Sequence, residues 1–267
     1  MTATAASLPT LDISGTPRVP FGRLVKVELR KSYDTRAGFW LLMTIGILVV
    51  LAETIALLVT TINNEAMSWG DFVAVAAYLT GLLLPVLGIM LMTTEWSQRS
   101  AMVTFSLEPH RPRVIAAKYL VGVILTLLTA AVAIAIGLIC NVIYGLAEGG
   151  SDWHFGMDGL FGFLITQTLS MTIGFALAAL LLNTAAAIVL YFVYKFVLPF
   201  VFGIASFYLD WFDNASKWFD FERAQAPIFE MSVNTGAEWG HLLVSGFIWL
   251  VIPLTIGLNR ILRAEVK

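Results

Sequence analysis

Apolar positions in this chain fall into long unbroken blocks divided by short polar stretches, not into the every-other-residue pattern of a half-buried strand. The blocks cover residues 39–62, 72–93, 114–147, 159–182, 185–207 and 241–258. A hydrocarbon core about 30 Å thick needs about 20 helical residues at 1.5 Å each. Five blocks match one crossing, and 114–147 is long enough to tilt or protrude. The pattern predicts an all-α, polytopic membrane protein with six transmembrane helices. Ahead of the first block, Phe21, Leu24, Val25 and Leu29 face one way and Arg23, Lys26, Arg30 and Lys31 the other. This two-sided pattern over Phe21 to Arg36 predicts an amphipathic helix in the headgroup plane. Residues 1–20 lack the continuous apolar core of a secretory signal, and their Ser, Thr, Pro and Gly content predicts a disordered tail.

Three polar segments interrupt the blocks. From Met92 to Lys118, apolar Trp96, Met102, Val103 and Phe105 alternate with Ser97, Gln98 and Ser100. Glu95 stands four residues before Arg99, the orientation favouring an ion pair on one helix turn. A short interfacial helix is expected over Glu95 to Phe105, stopped by Pro109 and Pro112. Read from these residues, it serves equally as a connector resting on lipid or as a docking element. Residues 148–158 form a Gly-rich turn in which His154 has only Asp152 and Asp158 nearby, a solvated loop before a metal site. Asp210 to Trp239 mixes Trp211, Phe212, Trp218, Phe219, Phe221 and Phe229 with Asp213, Asp220, Glu222 and Glu230. It is too charged to span and too aromatic for a free loop, so short helices dipping into the outer leaflet are expected, as a gate or as an aromatic anchor.

Composition fixes the class and charge fixes the orientation. Of 267 residues, 58% are hydrophobic and 13% charged, where soluble domains carry about 25% charged residues. Arg18, Arg23, Lys26, Arg30, Lys31, Arg36, Arg99, Arg111, Arg113, Lys118, Arg260, Arg263 and Lys267 fall on one side of the six crossings, and Lys217 and Arg223 on the other. The positive-inside rule makes the crowded side cytoplasmic, with both termini there. The single Cys140 excludes an intramolecular disulfide.

Ionisable groups inside the blocks are the sharpest functional hints, since each costs about 2.5–3.5 kcal/mol at a helix centre. Away from the block ends Glu53 and Lys195 are the two, and their backbones differ in depth by roughly 6 Å, so a buried Glu53–Lys195 pair is expected. In the fourth block Gln167, Ser170 and Gly174 share a face, either packing helices together or lining a polar path. Pro199 and Pro253 are expected to kink their helices.

The segment after the second block resembles the permease subunits of ABC transporters of the ABC-2 (type V exporter) class, especially small six-helix actinobacterial ones. Glu95, Thr104, Leu107 with Pro109, Arg111 with Arg113, and Ala117 with Lys118 carry the resemblance. It implies that residues 21–267 are an ABC-2 type transmembrane domain in the cell membrane, with an N-terminal elbow helix. Glu95, Trp96, Arg99, Met102, Thr104, Phe105, Arg111 and Arg113 would form a cytoplasmic coupling helix contacting a separate ABC ATPase subunit. ATP and Mg would sit on that subunit, and a second permease copy or paralogue would complete the assembly. The chain has no G-x-x-x-x-G-K-[ST], H-E-x-x-H or G-x-S-x-G, so no enzymatic activity, cofactor or nucleic-acid partner of its own is expected. The expected function is efflux of a hydrophobic or amphiphilic substrate. The alternatives are a non-transporting sensor or scaffold, and an ion-coupled carrier using Glu53.

Overall fold

A computed structural model describes residues 19–263. Apart from Val19 and Pro20, the expected tail lies outside the described residues, as do Arg18 and Lys267. The described chain is helical, and its one strand-like feature is an isolated bridge between Ser68 and Asp152. Six helices are long and apolar enough to cross a membrane, so the expected fold class is observed.

Helix α1 (Phe21–Asp34) and α2 (Arg36–Asn63) are divided by the single residue Thr35, whose side chain accepts from the Gly38 amide and caps α2. Helix α3 (Trp69–Ser97) begins with a capping box in which Ser68 and Asp71 satisfy each other's amides. It ends before the expected interfacial helix is complete. Gln98, Arg99 and Ser100 form a turn with Arg99 at φ 57°, and α4 (Ala101–Leu107) follows in a new direction. Pro112 then occupies the first turn of α5 (Arg111–Glu148), where its missing N–H has no intrahelical partner to lose. The 38 residues of α5 make it the longest crossing, and Gly149 closes it in the left-handed conformation.

The fourth crossing is α6 (Met157–Leu181), around which the others gather: α3, α5 and further helices of the last two crossings all pack on it. A Cβ added at Gly174 would stand 2.0 Å from the Pro85 carbonyl oxygen, so α3 and α6 touch backbone to backbone there. The fifth crossing, Thr184–Tyr208, is α7 (Thr184–Phe192), a π-helical turn at Val193–Val197, and α8 (Leu198–Tyr208). Short helices α9 (Asp210–Ser216) and α10 (Phe221–Phe229) precede the last crossing, Gly236–Arg263. That crossing is α11 (Gly236–Gly246), a second π turn at Phe247–Val251, and α12 (Ile252–Arg263).

Each π turn ends two residues before a proline, Pro199 or Pro253. A proline cannot donate to the carbonyl four residues back, and the helix accommodates the gap by widening one turn. The two widened turns touch, with the Tyr194 and Trp249 ring centroids 4.6 Å apart. The Trp249 Nε1–H donates to the Phe219 carbonyl at 2.8 Å, joining the last crossing to the segment between α9 and α10.

Candidate functional site

The polar segment singled out in the sequence is built around a ring of buried charge. Glu28 lies on the face of α1 turned toward the protein, and its two carboxylate oxygens accept from Lys31 and Lys118, each at 2.7 Å. Glu95, near the end of α3, accepts from Lys31 at 2.7 Å and from the Thr104 hydroxyl at 3.0 Å, with the Lys118 ammonium 3.4 Å away. Glu28, Glu95 and Lys118 are buried. Two carboxylates and two ammoniums alternate, so the ring is neutral and each charge faces an opposite one. Burial lowers the Lys31 pKa, but the hydrogen bonds it donates to Glu28 and Glu95, with their negative charge, outweigh it and the value ends above its ordinary 10.5.

The expected Glu95–Arg99 pair does not form. The i,i+4 geometry requires one continuous helix, and α3 stops at Ser97 with Arg99 in the left-handed region beyond it. Glu95 instead points inward, joining α1, α3, α4 and α5. Lys31, Lys118 and above all Glu28 complete the ring but are absent from the eight residues expected on the coupling helix. The available signal was an acidic residue four positions after Leu24 on the apolar side of an otherwise basic helix.

The eight residues expected on the coupling helix divide into a frame and a surface. Phe105 packs on Trp96, centroids 6.1 Å apart, and the Arg111 guanidinium sits 5.1 Å over the Phe105 ring while also donating to the Ile261 carbonyl. Arg113 donates to the Val19 carbonyl at 2.6 Å and lies 3.3 Å from Glu108. With Glu95 and Thr104, these side chains hold α4 in place from within. Arg99 and Met102 are exposed and free for another molecule to touch, and so are Val103 and Leu107, 62% and 77% exposed. Ala101 is the one buried residue of α4, and an apolar cavity of 540 Å³ opens between α1, α3, α4 and α5 beside the ring. Helix α4 is therefore tethered by a few specific contacts above a loosely filled space.

Glu53 and Lys195 are not brought together. Glu53 is fully buried where α2 meets α3 and α5, and neither carboxyl oxygen has a hydrogen-bond partner among the described residues. A Cβ added at Gly137 would stand 3.5 Å from one of those oxygens, so α5 passes at ordinary contact distance from the acid. Lys195, in the π turn of the fifth crossing, pairs with Glu222 of α10. Residue counting places two groups at similar depth but says nothing of azimuth, and α2 packs on α3 and α5 while the fifth crossing packs on α3 and α6.

Gln167 and Ser170 line a cavity of 190 Å³ with Tyr78, Tyr194, Lys195 and Glu222. Along the face they share with Gly174, α6 packs on α3 at Gly174 and borders this cavity one to two turns away. His154 is exposed and faces Asp152 at 3.2 Å within its turn. Comparison with models of known protein families and with curated proteins found no match.

Proposed function

We propose that the chain is the membrane-spanning permease subunit of an ATP-driven exporter, with the face bearing α1 and α4 in the cytosol and a separate ATPase subunit docked against it. The observation that carries this reading is α4 itself. It is a short helix between the second and third crossings, held by a neutral ring of charge, that leaves Met102, Val103 and Leu107 exposed, the last two along the rim of the apolar cavity. Soluble partners seat such apolar anchors at interface centres. A push on α4 would pass through Thr104 and Glu95 into α3, and from α3 into α6 by their close backbone contact. The basic flanks of the same face support the cytosolic orientation, and the exposed aromatic residues Phe196, Phe200 and Phe207 of the fifth crossing suit lipid or a second permease copy. The substrate would be hydrophobic or amphiphilic, with ATP and Mg held by the partner.

The test is ATP hydrolysis by the co-reconstituted ATPase subunit. Val103→Asp changes an exposed side chain, so membrane insertion and thermal stability should stay at wild-type levels while permease-stimulated ATPase activity falls by about ten-fold, the equivalent of one lost anchor. Unchanged stimulation would count against docking at α4. One observation favours a second reading, an ion-coupled carrier: Glu53 is a buried acid with no counter-charge, the kind of group that carries protons in transporters. Dependence of transport on a proton gradient in the absence of ATP would favour that reading instead.

A further inference from the structure

The cavity between α3, α6, the fifth crossing and α10 contains more polar chemistry than packing requires. Lys195 and Glu222 form an ion pair on its wall, Lys195 with 14% and Glu222 with 43% of its side chain exposed. The Gln167 amide donates to the Ala77 carbonyl at 3.1 Å, but among the described residues its Oε1 has no partner, and the Tyr194 hydroxyl has none either. Gln167 is 3% exposed and Tyr194 is 6% exposed, and both line the cavity. Buried polar atoms are nearly always paired, so two unmet ones beside a charge pair mark a place built for a guest.

The backbone keeps the space open and closes one side of it. Tyr194 and Lys195 reach the cavity from the π turn, a widening often found at functional sites. A Cβ added at Gly162 would lie 2.2 Å from the Phe229 carbonyl oxygen, so the end of α10 lies directly on α6 and caps the cavity. The Tyr78 ring stands 5.9 Å from the Lys195 ammonium.

We propose that this cavity binds a zwitterionic group, with the guest's anion on Lys195 and Tyr194 and its ammonium on Glu222 and Gln167. Charge balance selects this class. A lone anion would take Lys195 and leave Glu222 without its counter-charge, and a lone cation would do the reverse, at the greater cost because Lys195 has only 14% of its side chain exposed. A zwitterion replaces one ion pair by two and leaves the site neutral. The volume is about that of six waters in the liquid, which suits a headgroup or a small solute and not a whole amphiphile. Assigning the cavity to the polar end of a transported molecule rests on the exporter reading; binding itself does not.

The experiment uses the chain alone in phosphatidylglycerol nanodiscs, titrated with the phosphodiester zwitterion glycerophosphoethanolamine, ethanolamine or dimethyl phosphate, so its outcome is independent of any ATPase partner. Glycerophosphoethanolamine should bind at least about ten-fold more tightly than either half. The neutral double variant Lys195→Met with Glu222→Leu strands no charge and should keep its circular dichroism and melting profile while losing that preference. Gln167→Leu should weaken binding several-fold with the ion pair intact. Repeating the titration in phosphatidylethanolamine nanodiscs separates two sources that both support the site: weakened binding of the soluble probe points to the lipid headgroup, and unchanged binding to a free solute. Equal response to all three probes, or binding indifferent to the double variant and to Gln167→Leu, would overturn the proposal.

Discussion

Two regions of the molecule bury acidic side chains, and they do so in opposite ways. Where α1 meets α3 and α5, Glu28 and Glu95 are buried with Lys118 beneath the half-exposed Lys31, and the four alternate at distances of 2.7 to 3.4 Å. In α2, Glu53 is fully buried with neither oxygen partnered. In the first arrangement each ion faces a counter-ion, and Glu95 also accepts from Thr104, the condition under which buried charge is tolerated. A carboxylate at Glu53 has no counter-ion or hydrogen bond among the described residues to offset its burial. The difference separates a clamp, whose charges depend on one another, from an acid that packing alone surrounds.

The largest effect should come from breaking the ring. Lys118→Met leaves Glu28 and Glu95 sharing Lys31 and should lower stability by about 3–5 kcal/mol, the cost of stranding a buried charge, read from unfolding in detergent. Removing Glu28 as well, in Glu28→Met with Lys118→Met, should recover most of that loss. A double variant as unstable as the single one would mean that the ring's geometry, and not its charge balance, carries the stability. At the other site, Glu53→Gln keeps the shape of the neutral acid and should stay within about 1 kcal/mol of wild type. A loss as large as that of Lys118→Met would show that Glu53 has a hidden partner and would erase the contrast.

Smaller effects sharpen the same comparison. The Lys31 pKa lies above 10.5 when folded, so its contribution is complete below 10.5 and fades as pH rises through the raised folded value. Stability of wild type relative to Lys31→Met should therefore be flat from neutral pH upward and converge only in strong alkali. Convergence at neutral pH would contradict the ring. Smallest of all, Arg30→Ala removes an exposed pair with Asp34 on the opposite side of α1 and should leave melting unchanged.

How much of this was legible in the sequence follows from what each signal encodes. Unbroken apolar runs report length, so all six crossings could be placed, and the two-sided pattern from Phe21 gave α1 to within two residues of Asp34. Partners were harder to read. Glu95 and Arg99 have ideal spacing for a helical pair, but spacing decides nothing once the helix stops at Ser97. Glu53 and Lys195 were matched by depth alone, while Glu222, which holds Lys195, was assigned to an outer segment. Gln167 and Ser170 were correctly placed on one face, yet the cavity they border also depends on the π turn and on α10, whose positions no local pattern encodes.

The proposal that α4 is a docking element is tested most directly by one introduced thiol. Leu107→Cys, in a background where the buried Cys140 is replaced by alanine, is labelled with a membrane-impermeant maleimide in sealed vesicles of known orientation, with and without the ATPase subunit. Labelling from the cytosolic side that is lost when the ATPase binds is the predicted result. Labelling from the outer side, or labelling at the same rate with the ATPase bound, would contradict the account.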